Sequence, residues 1–406
     1  MVLYNTYVSI SRTARIWKVR IFDNERDALF LLSSRCVQIS NSFVTSILLI
    51  KKFGIESVGT YTIAYIAITI LSLVCSLGLN YSLPQSRLSN RQRTGVASSL
   101  LLFALPGVAA FIFIYSCVVS RSPAEIIQIA LFSSVGYFMG WRVVLNTLLL
   151  LDGQTHLAII PPLVNSIFLI ISALLAHSVS HFALLLVAGW SIGTLYVLYI
   201  LGCAKVDYKM VLFYGKRGIQ YLPTDLMSLL SEQSVILIIA HFLTRSDLGC
   251  YGLCRQVVTL ADTPGWSFVQ SKYPSLVHAN LSHVKNIENI NWVLSIVMSI
   301  CSLLVSCLLG TFVYNLPWFW LMMMIVCLSM PYRYANNLYD QIMKAMGRAV
   351  LCTYLASAKL VLALLICTPF VMYFHLWGAI FSLTIISFIA GLLYRKKATG
   401  IIYSIR

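Results

Sequence analysis

What this sequence has little of is charge, and acid above all. Only 10% of its 406 residues are charged, with 13 Asp and Glu against 29 Lys and Arg. A water-soluble chain of this length needs far more charge to cover its surface. Cysteine is present without a pattern. The eleven cysteines are odd in number, lie mainly in apolar stretches and show neither CxxC nor Cys/His ligand spacing. They read as small buried helix fillers rather than as a disulfide framework or a metal site. No nucleophile–base pair and no phosphate-cradling glycine loop stands out, so neither an enzyme nor a cofactor site is expected. Residues 1–28 are polar and basic and lack the apolar core of a secretory signal.

What is there is apolar sequence: 59% of residues are hydrophobic and the mean hydropathy is +0.85. Apolar runs of about 18 residues or more recur along the chain, each long enough as a helix to cross ~30 Å of hydrocarbon. They do not alternate as barrel strands do. The runs fall near 29–50, 58–80, 96–119, 125–150, 156–176, 181–203, 222–244, 248–270, 292–313, 316–338, 350–372 and 376–394. The predicted fold is therefore an all-α integral membrane protein of about 12 transmembrane helices in two pseudo-symmetric six-helix bundles. The expected division is a basic N-terminal segment 1–28, a bundle 29–203, a connecting loop 204–221, a second bundle 222–394 and a tail 395–406.

The formal charge of +16 invites a nucleic-acid reading, but the cations lie in the wrong places for one. Most sit in loops on one side of the twelve spans, such as Arg87, Arg91 and Arg93, then Lys205, Lys209, Lys216 and Arg217, then Arg395, Lys396 and Lys397. The other side holds Lys51, Lys52, Arg121 and Arg245. Positive charge collects on the cytoplasmic side, so both termini are expected there. An amphipathic helix near Ile10–Phe22 is expected to lie on the membrane surface.

The two halves repeat. ILLIKKFGIESVGTYTIAY spans the first turn between helices, and ILIIAHFLTRSDLGCYGLC spans the corresponding turn of the second half. Phe53 matches Phe242 and, with one residue removed, Gly59-Thr60-Tyr61 matches Gly249-Cys250-Tyr251. Both copies leave by the same membrane face, which makes this a parallel repeat about an axis along the membrane normal. Prolines inside spans, at Pro106, Pro161-Pro162, Pro264, Pro331 and Pro369, are expected to bend or break their helices.

These motifs, with Leu77-Gly78-Leu79-Asn80 closing the second span and Leu376-Trp377-Gly378-Ala379 opening the last, carry a resemblance. In order and spacing over roughly 29–394 the sequence resembles the Wzx-type O-antigen and polysaccharide flippases. These belong to the polysaccharide transporter family of the multidrug/oligosaccharidyl-lipid/polysaccharide exporter superfamily. The resemblance implies a flippase of the bacterial inner membrane with both termini cytoplasmic. By alternating access and with ion coupling, it would move undecaprenyl-diphosphate-linked oligosaccharide units for O-antigen, lipopolysaccharide or a related surface polysaccharide. Implied partners are that lipid-linked oligosaccharide, membrane lipid, a polysaccharide polymerase and a chain-length regulator, and no nucleic acid.

Ionisable residues inside the spans are the site candidates, because each costs ~2.5–3.5 kcal/mol at bilayer depth unless it meets a partner or a watery cavity. They fall into helical stripes: Arg35, Gln38 and Ser42; Arg142 and Asn146; Asp225, Ser228 and Glu232; Arg255, Thr259 and Asp262; Arg333, Asn337 and Asp340; and Lys359. Arg35, Arg142, Arg255, Arg333 and Lys359 are candidates for a cationic cavity that holds a diphosphate, arginine being the better match to phosphate oxygens. Glu232, Asp225 and Asp262 are candidates for ion coupling. The alternative is that these charges pair across helices, Arg255 with Glu232 for instance, and hold the bundle together. Aromatic residues at Trp318, Phe319, Trp320, Tyr332, Tyr334 and Tyr339 read as an interfacial belt, or else as a sugar-stacking surface.

Two other functions compete. A cation-coupled drug exporter of the same superfamily commonly carries an acid in its first helix, whereas the first span here has Arg35 and no acid. A polysaccharide polymerase needs a long outer loop, and the outer loops near 51–57 and 120–124 are short.

Overall fold

The computed structural model describes residues 25–83, 86, 88–219, 222–276, 281–312, 314, 316, 318–346 and 348–404. The surface helix expected near Ile10–Phe22 lies outside them, as do the side chains of Arg35 and Asp225. The described chain is helical: α1 (Glu25–Phe53), α2 (Ile55–Ser76), a one-turn helix (Leu79–Ser82), α3 (Asn90–Val119), α4 (Pro123–Asp152), a short 3₁₀ turn (Thr155–Ile159), α5 (Ile160–Leu175) and α6 (Val179–Leu201). A connecting helix (Tyr208–Ile219) follows, then α7 (Leu222–Phe242), α8 (Arg245–Leu276), α9 (Leu281–Phe312), α10 (Phe319–Cys327), α11 (Met330–Ala345) and α12 (Ala349–Ser404).

Among the described residues seven helices are long and apolar enough to cross a membrane, and α12 among them is folded into two arms. The helices that fall short are α1, α7, α8 and the broken pair α10–α11. α10 and α11 are each too short alone, and the polar stripes on α1, α7 and α8 lower their hydropathy. Counted together, these elements make twelve spans in two bundles of six. With twelve spans, the start of α1 and the end of α12 fall on one face, here the termini face; the short turns at Gly54, Ser120–Ser122 and Leu243–Thr244 fall on the opposite face.

The bundles share a packing scheme. In the first, α2 runs along α4 and α4 along α6; in the second, α8 runs along α11 and α11 along α12. Likewise α1 packs on α5, and α7 on α12. The prolines divide by position. Pro161 and Pro162 open α5, where a missing N–H costs nothing, and Pro331 sits just after the break between α10 and α11. Pro106 and Pro369 stay inside unbroken helical segments.

The segment 204–221 is not simply a loop. Tyr208–Ile219 is helical and lies against the first bundle, with Gly215 on Leu100 and Gly218 on the backbone of Leu77. Nor does the last helix stop at the membrane edge: it continues to Ser404. Its fold-back sits at His375 (φ 51°, ψ −131°). Three residues on, a Cβ on Gly378 would lie 1.9 Å from the Phe370 carbonyl oxygen, so only glycine closes this hairpin.

The aromatic residues around α10 and α11 do not form a belt. Trp318 and Trp320 are exposed, but Phe319, Tyr334 and Tyr339 are fully buried, and Tyr334 donates its hydroxyl to the Ala261 carbonyl. The belt reading missed that α11 lies inside the second bundle.

Candidate functional site

The bundles meet near the opposite face, where the repeated glycines lie. A Cβ on Gly59 would stand 2.0 Å from the carbonyl oxygen of Arg245, and one on Gly249 would stand 2.5 Å from the carbonyl oxygen of Ile55. Residues 245 and 55 each lie four positions before the repeat's glycine, so the contact is reciprocal, as a two-fold axis requires. Small residues let the two helix backbones touch here.

Side chains lock the same end. Arg245 donates from Nε to Glu125 Oε1 at 2.5 Å and from Nη2 to the Val119 carbonyl at 2.6 Å. Glu125 also receives the Arg121 backbone N–H at 2.6 Å and the Thr60 hydroxyl at 3.3 Å. Arg121 reaches across to the carbonyls of Ala240 and Leu243, at 3.2 and 2.5 Å. Deeper in the membrane, Gln256 Nε2 donates to Ser46 Oγ at 2.6 Å. Toward the termini face the facing helices present exposed residues, Glu232 on α7 and Thr259 on α8.

Below this seal lies a cavity of about 110 Å³, lined from both bundles. Its walls carry Gln38, Asn41 and Ser42 of α1, Tyr61 and Tyr65 of α2, Asn165 of α5, Trp190 of α6, and Arg255, Gln256 and Thr259 of α8. Drug-sized ligands are enclosed by ~300 Å³ or more, so in this conformation the space admits only part of a large ligand. Among the described residues, Arg255 is the one charged side chain on the lining, and no acid is on it.

The sequence candidates distribute unevenly about this cavity. Arg255 lines it and donates to Gln233 Oε1 at 2.9 Å. Both Arg255 and Glu232 lie within electrostatic range of Tyr65, across the boundary between bundles. Arg142 stands one layer behind: it is buried, bonds Ser34 of α1, and holds its guanidinium 5.5 Å from the centre of the Trp190 ring. Arg333 forms an ion pair with Asp262, donating from Nε at 3.0 Å. Lys359 lies within electrostatic range of Glu232, Arg333, Asp340 and Asp262. The second bundle therefore gathers cations and acids together, and the stripes on α7, α8, α11 and α12 converge. Arg35 and Asp225 lie on α1 and α7, which flank the same region, with their side chains outside the description.

Sequence reasoning missed Glu125, Asn165, Trp190 and the role of Arg245, which it took for a loop charge. Glu125 is the lone acid in the first turn of an apolar helix, and nothing local marks it. Asn41 had a signal, one turn from Gln38 on α1. Its Nδ2 donates to the Pro162 carbonyl and its Oδ1 accepts from Ser166, both at 2.8 Å, which ties the start of α5 to the cavity wall.

No protein-family model matches the sequence, and no curated protein matches it. Solved structures do. An inward-facing MATE family multidrug resistance transporter of the MOP superfamily superposes with a TM-score of 0.65 at 11% identity, covering 96% of this chain and 97% of the other. The chain has the MATE fold. An outward-facing MATE transporter of that superfamily matches with a TM-score of 0.65 at 14% identity, covering 95% and 98% of the two chains. The MATE multidrug transporter DinF-BH, in complex with rhodamine 6G, also gives 0.65 at 14% identity, covering 93% and 94%. The MATE fold has thus been seen facing either side, and the seal described here closes one face.

Proposed function

We propose that this protein is an alternating-access transporter that moves polyprenyl-diphosphate-linked oligosaccharide across a membrane. The observation that carries this reading is the cavity: both bundles build it and, among the described residues, one arginine and several amides line it and no carboxylate does. An amphipathic cation would find no counter-charge among the described lining residues, whereas a diphosphate meets Arg255 and sugar hydroxyls meet amides. With both termini cytoplasmic, the seal at the opposite face makes this the inward-open state. Arg142 and Lys359 add positive charge, Arg333 adds it in a pair with Asp262, and Arg35 stays a candidate by its place on α1. Glu232 and Asp262, set among cations in the second bundle, are the groups we assign to ion coupling, with Asp225 on α7 as a further candidate.

A second reading, a cation-coupled exporter of small molecules in the same superfamily, draws support from the multidrug transporters that share the fold. Proteoliposomes separate the two. Under the first reading the protein moves a fluorescent undecaprenyl-diphosphate oligosaccharide out of reach of an impermeant glycosidase, and Arg255→Ala reduces the rate at least tenfold at equal incorporation. Efflux of rhodamine 6G with no movement of the lipid-linked sugar would establish the second. Repeating the assay with proton or sodium gradients identifies the coupling ion.

A further inference from the structure

The hydrogen-bond inventory of the cavity is incomplete in one place. Asn165 is 3% exposed, and its Oδ1 is buried without a hydrogen-bond partner. Across the boundary, Gln256 uses Nε2 on Ser46 and leaves Oε1 buried and unpartnered as well. Both line the same cavity, one from each bundle. Leaving such a group unsatisfied costs about 1–3 kcal/mol, and a fold that needed only packing there would be served better by leucine. The neighbouring amide Asn41 shows the contrast, since both ends of its side chain are satisfied by protein.

We infer that this part of the cavity wall is a subsite for the hydroxyl groups of a neutral sugar, with Asn165 and Gln256 as its hydrogen-bonding residues. The inference rests on the proposed transport of lipid-linked oligosaccharide and names the part of that cargo this corner takes. A carboxamide offers an acceptor and two donors, and a hydroxyl both donates and accepts, so each amide matches a hydroxyl whichever way it turns. Trp190 supplies an apolar ring for the C–H face of a sugar, and the Arg142 guanidinium close to that ring fixes its place. Asn165 and Gln256 carry no charge, so the group they take is a neutral, hydroxyl-bearing one, and Arg255, next to Gln256 on α8, takes the diphosphate.

Binding by the purified full chain in lipid nanodiscs tests this with three probes: undecaprenyl diphosphate, the same lipid carrying a neutral disaccharide, and rhodamine 6G. The disaccharide should tighten wild-type binding at least tenfold over the sugar-free lipid. In Asn165→Leu and in Gln256→Leu the ratio of the two affinities should fall to about one. Asn165→Leu should also raise the thermal unfolding midpoint, an outcome opposite to that of a structural amide; should it fail to incorporate, Gln256→Leu alone decides. Equal wild-type affinity for both lipids overturns the subsite while leaving the transport reading intact, as does a ratio that persists in the variants. Binding of rhodamine 6G alone overturns the transport reading and the subsite with it.

Discussion

Arg245, in the first turn of α8, reaches across to the first bundle and closes on Glu125, in the first turn of α4, with Nε 2.5 Å from Oε1. The two side chains are only 10% and 9% exposed, and they bridge parts of the chain separated by 120 residues. Any conformation that opens this face has to part them. Removing one partner of a buried pair leaves an uncompensated charge, at a cost of about 3–5 kcal/mol, whereas replacing both by apolar groups is nearly neutral. Glu125→Ala should therefore expose this end. In a cysteine-free background a Thr60→Cys probe should label faster with an impermeant maleimide in Glu125→Ala than in the parent. The double variant Glu125→Leu/Arg245→Leu should restore most of the protection. Equal labelling in all three would show that the pair does not hold the seal.

The glycine contact predicts a steeper response to a smaller change. Gly59→Ala and Gly249→Ala each place a methyl group against a carbonyl oxygen of the other bundle, well inside van der Waals distance. Each should shift the protein away from the sealed state or lower its unfolding midpoint by several degrees. Gly107, inside α3, has open space around its Cβ position. There alanine should stabilise by up to ~1 kcal/mol, as in any helix interior.

His375 is strained where it stands. A non-glycine residue at φ 51° costs of order 1–3 kcal/mol and persists only where its surroundings impose it. His375→Gly should raise stability by about 1 kcal/mol, read as a rise in the unfolding midpoint, with the turn unchanged. A fall would show that the imidazole makes contacts worth more than the backbone strain.

Arg142 should tolerate lysine poorly. Its guanidinium bonds Ser34 and lies near the face of Trp190, and an ammonium group cannot provide the planar contact. Arg142→Lys should cost about 1–2 kcal/mol in thermal stability and change the near-ultraviolet circular dichroism of the tryptophans.

The twelve-span plan was legible because the apolar runs give the count, and the helices of the two bundles follow those runs. The FGIESVGTY and FLTRSDLGCY repeat was legible as a resemblance between halves, yet its meaning was not. Nothing in either segment says that its glycine will seat on the other's backbone. The stripes of Asp262 and Arg333 were visible as helical periodicity, and their pairing needed the packing of α8 on α11. Glu125 and Asn165 are single polar residues in apolar helices, distinguished only by what stands opposite. Tyr334 and Tyr339 were misread because aromatic residues near a span's end look alike whether they face lipid headgroups or a bundle's interior.

The reciprocity at Gly59 and Gly249 has a historical reading. Each glycine meets a residue four positions before its own counterpart, which is the pattern of a patch that recognises itself. A six-helix ancestor carrying one such patch would have closed against a second copy of itself, both inserted the same way round. Fusion of two such copies would keep a homodimer's contact inside a single chain, with Arg245 standing where the first repeat carries Ile55.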